Sequence, residues 1–183
     1  MIKKRMKILF IGFGNVAKEM ARIFTERKLY PALDISPEVI GIFTKRHGGL
    51  ENSSGICLDT VLTELRQNDR LAADERELSP LTPLEAAEKL DYDVLVELSS
   101  LSISGKGEPA VSHIRAALKR GKSVASANKG PVGFHYRELR DLAEENGALY
   151  LFESAVMDGA PVFNFCRRCM KGATITGFSG ILN

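Results

Sequence analysis

Nowhere in this chain is there an apolar run approaching the ~18 residues that a membrane-spanning helix needs. No apolar stretch with a small-residue cleavage site follows the N-terminus either, so a cytoplasmic location and no membrane partner are expected. Cysteine is scarce: three residues, an odd number, with Cys57 far from the Cys166-Arg167-Arg168-Cys169 pair. That count argues against a disulfide framework, and one C-x-x-C without a second pair is a poor zinc site. A charge excess is missing too. The formal net charge is +2, and its one local concentration is the opening cluster Lys3, Lys4, Arg5, Lys7, which reads as a solvated N-terminus rather than a nucleic-acid or anionic-membrane surface. The three histidines, His47, His113 and His135, lie scattered with no nucleophile or ligand partner nearby, and the last two are expected on helix surfaces. No internal repeat or low-complexity tract is present.

What is there is an ordinary globular composition, 44% hydrophobic and 26% charged. A length of 183 residues allows one sizeable domain, or one domain and the start of another. Strand and helix patterns alternate. A strand ends at Ile11, a helix runs from about Val16 to Arg27 with a Met20, Ile23, Phe24 stripe, and Val39 to Thr44 reads as the second strand. Lys45 to Cys57 reads as a loop by its turn residues, and Asp59 to Leu65 as a helix. Asn68 to Thr82 is turn-rich; Thr82-Pro83 followed by Glu85 is a helix-start signature, with the helix running to Leu90. Val94 to Val96 is a buried strand with a serine- and glycine-rich loop, Ser99 to Gly107, at its carboxyl end. A helix from Glu108-Pro109 to Gly121 buries Val111, Ile114, Ala117 and Leu118; a strand at Ser123 to Ser126 follows. Leu139, Leu142 and Ala143 mark another helix ending at Gly147; Leu149 to Phe152 is a strand, Pro161 to Met170 a helix, and Thr174 to Leu182 a strand. This alternation predicts an α/β fold of the Rossmann type, a doubly wound, mostly parallel sheet that ends at the start of a truncated second region. The expected division is a nucleotide-binding domain over 1–160 and a linker helix with a first strand over 161–183.

The strand ending at Ile11 runs straight into Gly12-Phe13-Gly14-Asn15-Val16-Ala17, a G-x-G-x-x-A turn at the mouth of a helix. Gly12 permits the tight turn, Gly14 removes the Cβ that would block a pyrophosphate, and Ala17 lets helix and strand pack closely. Phosphates would then sit on unsatisfied N–H groups at the helix start. An NAD-specific unit of this kind normally ends its second strand in Asp or Glu, which accepts from the ribose 2′-OH. Here that place holds Thr44-Lys45-Arg46. A hydroxyl and two cations suit a 2′-phosphate, so NADP is favoured and NAD remains possible.

Four segments in order carry a family resemblance: the glycine turn, Ser126-Ala127-Asn128-Lys129-Gly130-Pro131, Phe152-Glu153-Ser154-Ala155-Val156-Met157-Asp158-Gly159-Ala160-Pro161, and the terminal Gly180-Ile181-Leu182-Asn183. Together with the stretch Gly107 to Arg115 they resemble homoserine dehydrogenase over essentially the whole chain. The resemblance implies NAD(P)-dependent interconversion of aspartate semialdehyde and homoserine, on the route to threonine and methionine, by a homo-oligomer. It implies that Lys129 lies beside the nicotinamide and the substrate, next to Ala127, and that Ser99 and Ser100 border the nicotinamide ribose. It implies a monovalent cation such as sodium held by Glu153, Val156, Asp158 and Ala160; the alternative is that Glu153 braces the turn before Pro161. It also implies that the chain stops at the junction with a region carrying another catalytic lysine and substrate-binding carboxylates, and so is not competent alone. A free-standing NADP-binding module or sensor, and a different Rossmann oxidoreductase such as an aspartate dehydrogenase-like enzyme, are the other readings; Asn128-Lys129-Gly130-Pro131 argues against the last.

Overall fold

The structure is a computed structural model and describes residues 4–26, 35–71, 78–157 and 159–180. Its frame is a seven-stranded sheet in the order β4-β3-β2-β1-β5-β6-β7. The strands are β1 (Lys4–Ile11), β2 (Ile35–Thr44), β3 (Gly48–Glu51), β4 (Leu78–Ser79), β5 (Val94–Glu97), β6 (Ser123–Ser126) and β7 (Tyr150–Leu151). The helices are α1 (Asn15–Glu26), α2 (Leu58–Gln67), α3 (Pro83–Lys89), α4 (Ala110–Lys119), α5 (Lys129–Glu145) and α6 (Val162–Cys169). From β2 through β1, β5 and β6 to β7 every pairing is parallel. The two edge strands β3 and β4 are antiparallel additions.

The central strand β1 explains the two-layer core. Ile8 to Ile11 are all buried, as expected of a strand covered on both faces. Alternation sends Leu9 and Ile11 to one side, where they meet Leu95, Val124 and the buried stripes of α3, α4 and α5. Ile8 and Phe10 face the other side, against Ile42, Val96, α1 and α2. On α1 the residues fully covered are Ala17 and Ala21; Met20 and Phe24 are partly buried, and Ile23 is exposed. Small residues there bring the helix axis close to the sheet. No helix among the described residues is long and apolar enough to cross a membrane.

The helix-start signature at Thr82 is realised in full. Thr82 Oγ1 accepts from Glu85 N at 3.2 Å, and the Glu85 carboxylate accepts from Thr82 N at 2.9 Å and from Lys89 Nζ at 2.8 Å. Lys89, then the Thr82 contacts, pull the Glu85 carboxyl down to about 2. An acid depressed in the folded state contributes stability above its ordinary pKa and loses it as pH falls through the folded value, so the box should persist in mild acid and fail only towards about pH 2. Thr82→Ala is expected to cost about 1 kcal/mol in urea unfolding at neutral pH; an unchanged midpoint would mean that α3 is held by packing alone.

Three expectations are corrected. Gly48 to Glu51, within the expected loop, form β3, because Leu50 is completely buried against the sheet and pairs with Ile42; burial overrides the low strand propensity of two glycines. His113 is buried on α4, not at a helix surface, since α4 is packed by α3 on one side and α5 on the other. Thr174 to Gly180 are exposed and form no strand, because β-branched residues adopt a strand where a neighbour supplies the ladder, and no described strand pairs with them. Ile181, Leu182 and Asn183, like Arg27 at the end of the first helix, lie outside the described residues.

Candidate functional site

The chain reverses direction across the sheet at β1: β2 lies on one side and β5 on the other. Such a reversal leaves a crevice beyond the carboxyl ends of the strands. Its floor is made by an unusually close backbone approach. Gly12 has φ +88°, and a Cβ there would fall 2.4 Å from the carbonyl carbon and oxygen of Leu98 and 2.5 Å from Ser99 N. Gly12 N donates to Phe43 O at 2.8 Å and Leu98 N to Ile11 O at 2.7 Å, fixing the turn to both neighbouring strands. At Gly14, in contrast, a Cβ would meet nothing within 4 Å. The first glycine is needed by the fold, and the second leaves open approach to the start of α1.

Beyond this floor lies a cleft of about 270 Å³ lined by Gly14, Asn15, Val16, Ala17, Leu98, Ser99, Leu101, Ala127, Asn128 and Lys129. The glycine turn, Ser99, Ala127 and Lys129 are therefore brought together although they stand on three separate segments. Phe13 sits beneath, buried edge-to-face on Phe10 with ring centroids 5.6 Å apart. Ser100 is exposed and does not line the cleft. Ser99 Oγ is buried without a hydrogen-bond partner, an orphan of the sort that a ligand hydroxyl or amide satisfies.

Lys129 is the exposed first residue of α5. A cation there opposes the positive end of the helix dipole, a local conflict of the kind found at functional positions. Its placement depends on Asn128, a buried residue that the sequence reading did not assign. Asn128 Oδ1 accepts from Gly130 N at 3.1 Å, capping α5, while Nδ2 donates to Ser99 O at 3.1 Å. The N-cap preference of asparagine was the available signal; the second bond crosses 29 residues and has none. Gly107 and Gly130 allow the starts of α4 and α5 to touch, since a Cβ on Gly130 would stand 2.8 Å from Gly107 Cα.

Behind the cleft, Glu97 ends β5 fully buried. Its Oε1 accepts from Ser99 N at 3.2 Å and lies 3.8 Å from His113 Nδ1. This carboxylate steadies the loop that carries Ser99. It too was missed, because a lone Glu after Val94-Leu95-Val96 reads as the exposed end of a strand.

At the far end of β2, Thr44 closes a turn: its Oγ1 accepts from His47 N at 2.8 Å and donates to Gly48 O at 3.3 Å. Lys45 is exposed. Arg46 Nη2 is 2.5 Å from Asp69 Oδ2, so the guanidinium is already engaged.

At the other edge of the sheet, the Glu153 carboxylate accepts from Phe163 N at 2.8 Å, from Asn164 N at 3.2 and 3.3 Å and from Asn164 Nδ2 at 2.9 Å. It caps the first turn of α6. Val156 and Ala160 flank this turn, Asp158 lies outside the described residues, and no group of three His, Cys, Asp or Glu suited to a metal occurs among those described.

A family model described as the homoserine dehydrogenase NAD binding domain matches residues 12–153. The NAD(+)-dependent homoserine dehydrogenase of Pseudomonas canavaninivorans is 31% identical over 97% of this chain and 51% of its own length. The homoserine dehydrogenase of Methanocaldococcus jannaschii is 26% identical over 97% of this chain and 53% of its own. Among solved structures, a hyperthermophilic archaeal homoserine dehydrogenase in complex with NADPH superposes with a TM-score of 0.75 at 28% identity, covering 88% of this chain and 47% of its own. The chain thus spans about half the length of the curated relatives it matches.

Proposed function

Since the chain belongs to the family of homoserine dehydrogenase NAD-binding domains, we propose that it binds the nicotinamide dinucleotide for the interconversion of aspartate semialdehyde and homoserine in a full-length, homo-oligomeric enzyme. The observation that carries this is the cleft, in which an open glycine, a helix start and a lysine meet at the carboxyl ends of β1, β5 and β6. The residues fit a dinucleotide: Gly14 leaves room for a pyrophosphate, the α1 N–H groups can receive it, and Ser99 Oγ awaits a partner. When bound, the nicotinamide supplies or accepts the hydride. Lys129 then stabilises the negative charge developing on the substrate oxygen. Asn128 fixes the start of α5 from which that lysine projects, and Leu98 and Leu101 make the adjoining wall apolar. The relatives' other half would supply the carboxylates that hold the substrate amine and a second lysine for proton transfer. The boundary near residue 160 is part of the same reading, supported by the exposure of residues 171–180.

NADP(H) is the finer proposal, since β2 ends in Thr44-Lys45-Arg46 without an acid. One relative is named NAD(+)-dependent and two structural neighbours are complexes with NADPH, so both forms need to be titrated. By calorimetry the chain is expected to bind NADPH, and Arg46→Asp to weaken NADPH at least about tenfold more than NADH, by like-charge repulsion of the 2′-phosphate. Failure of wild type to bind either dinucleotide below millimolar concentration would sink the proposal. The monovalent cation is less well supplied: the one described carboxylate at its turn is already committed to α6, which favours Glu153 as a brace.

A further inference from the structure

Asp69 stands just past the end of α2, anchored by Leu65 and Leu71, both buried. Its φ is +52°, a left-handed conformation that side chains other than glycine, asparagine and aspartate rarely enter. One carboxylate oxygen meets Arg46, and the other lies 3.0 Å from His47 Nε2. The hydrogen bond from His47, then the charges of Arg46 and Lys18, hold its carboxyl below the usual range, so it is an anion at neutral pH. Lys18 belongs to the first turn of α1, where its N–H donates to Gly14 O. Asp69 is thus held against the turn that ends β2, and the charge of Lys18 on α1 also reaches it. The adenosine ribose of a dinucleotide on this fold lies between those two elements, and the acid that reads its 2′-OH normally comes from the former.

We propose that Asp69 is a specificity-determining residue of the dinucleotide site, supplying from the end of α2 the carboxylate that β2 lacks and holding the site near parity between NAD(H) and NADP(H). The proposal rests on the dinucleotide reading above. A ribose 2′-OH can donate to this carboxylate. A 2′-phosphate must instead approach an anion and compete with it for Arg46 and His47, the cations and donors that would otherwise favour NADP(H). The turn-rich wording of Asn68 to Thr82 gives no hint of this, because Asp69 and Arg46 are 23 residues apart and on different elements.

The test is Asp69→Asn, which keeps an acceptor for His47 and suits φ +52° at least as well. NADH and NADPH are titrated by calorimetry, with 5′-AMP and 2′,5′-ADP as probes of the ribose end alone. Wild type is expected to bind the two dinucleotides within about tenfold of each other, and the variant to shift the ratio of dissociation constants towards NADPH by about tenfold or more, with 2′,5′-ADP gaining in parallel. An unchanged ratio with both dinucleotides still bound overturns the role of Asp69 and leaves the dinucleotide site standing. A wild type that prefers NADPH by more than about a hundredfold overturns it equally. Binding of neither dinucleotide removes the site and this role together.

Discussion

Replacing Lys129 by alanine, in full-length protein carrying this chain as its nucleotide half, is expected to lower kcat by about two orders of magnitude or more. Dissociation constants for NADH and NADPH should change little. The separation follows from where the residue stands. Lys129 lines the cleft from the rim, at the first position of α5, while the pyrophosphate side of the cleft is made by Gly14 and the start of α1. An ammonium that acts on charge appearing only during hydride transfer affects the rate and leaves ground-state binding alone. Asn128→Ala serves as the companion measurement, since it releases the lysine without deleting it and should lose part of kcat together with some stability. A near-normal kcat in Lys129→Ala would return the residue to a solvated helix start.

Gly12→Ala is expected to destabilise the chain by about 3 kcal/mol or more, read as a lowered urea midpoint, because a left-handed φ and a backbone collision are imposed together. The new Cβ would fall 2.4 Å from Leu98 atoms that belong to the main chain, which has no rotamer to yield. Gly12 N is tied to Phe43 O and the neighbouring Ile11 O to Leu98 N by short hydrogen bonds, so relief must come from separating β1 from β5. Gly14→Ala provides the contrast. With nothing within 4 Å of the added methyl, that variant should fold with wild-type stability and lose dinucleotide affinity. Equal stability of the Gly12 variant and wild type would overturn the close-approach account; equal affinity of the Gly14 variant would overturn the cradle.

What could be read from sequence follows the range of the interactions involved. The strand, glycine turn and helix at Lys4–Glu26 were legible because periodicity and turn chemistry are local there, as were the capping residues at Thr82 and the buried stripe of α4. Strand β3 was not, since its Gly48-Gly49 start reads as a loop and only pairing with Phe43 and Thr44 makes it a strand. His113 was misplaced because α4 is covered on more of its circumference than one amphipathic stripe suggests. At the site, Gly14 to Ala17, Ser99, Ala127 and Lys129 line the cleft, whereas Ser100 and Thr44 to Arg46 do not. Of the ones missed, Asn128 and Asp69 act through partners 29 and 23 residues away in sequence, and Glu97 is buried by β5 pairing and lies beside His113, 16 residues on.

The two bonds of the Asn128 amide also decide how the cleft can deform. One side chain grips both the loop after β5 and the first turn of α5, so those two walls are tied to each other. The opposite wall, formed by Gly14 and the start of α1, is held separately, by the close approach of Gly12 to Leu98 and by the packing of Ala17 and Ala21. Losing that one amide is therefore expected to loosen the Ser99 loop and the start of α5 together, while the wall made by α1, with Ala17 and Ala21 fully buried, keeps its place.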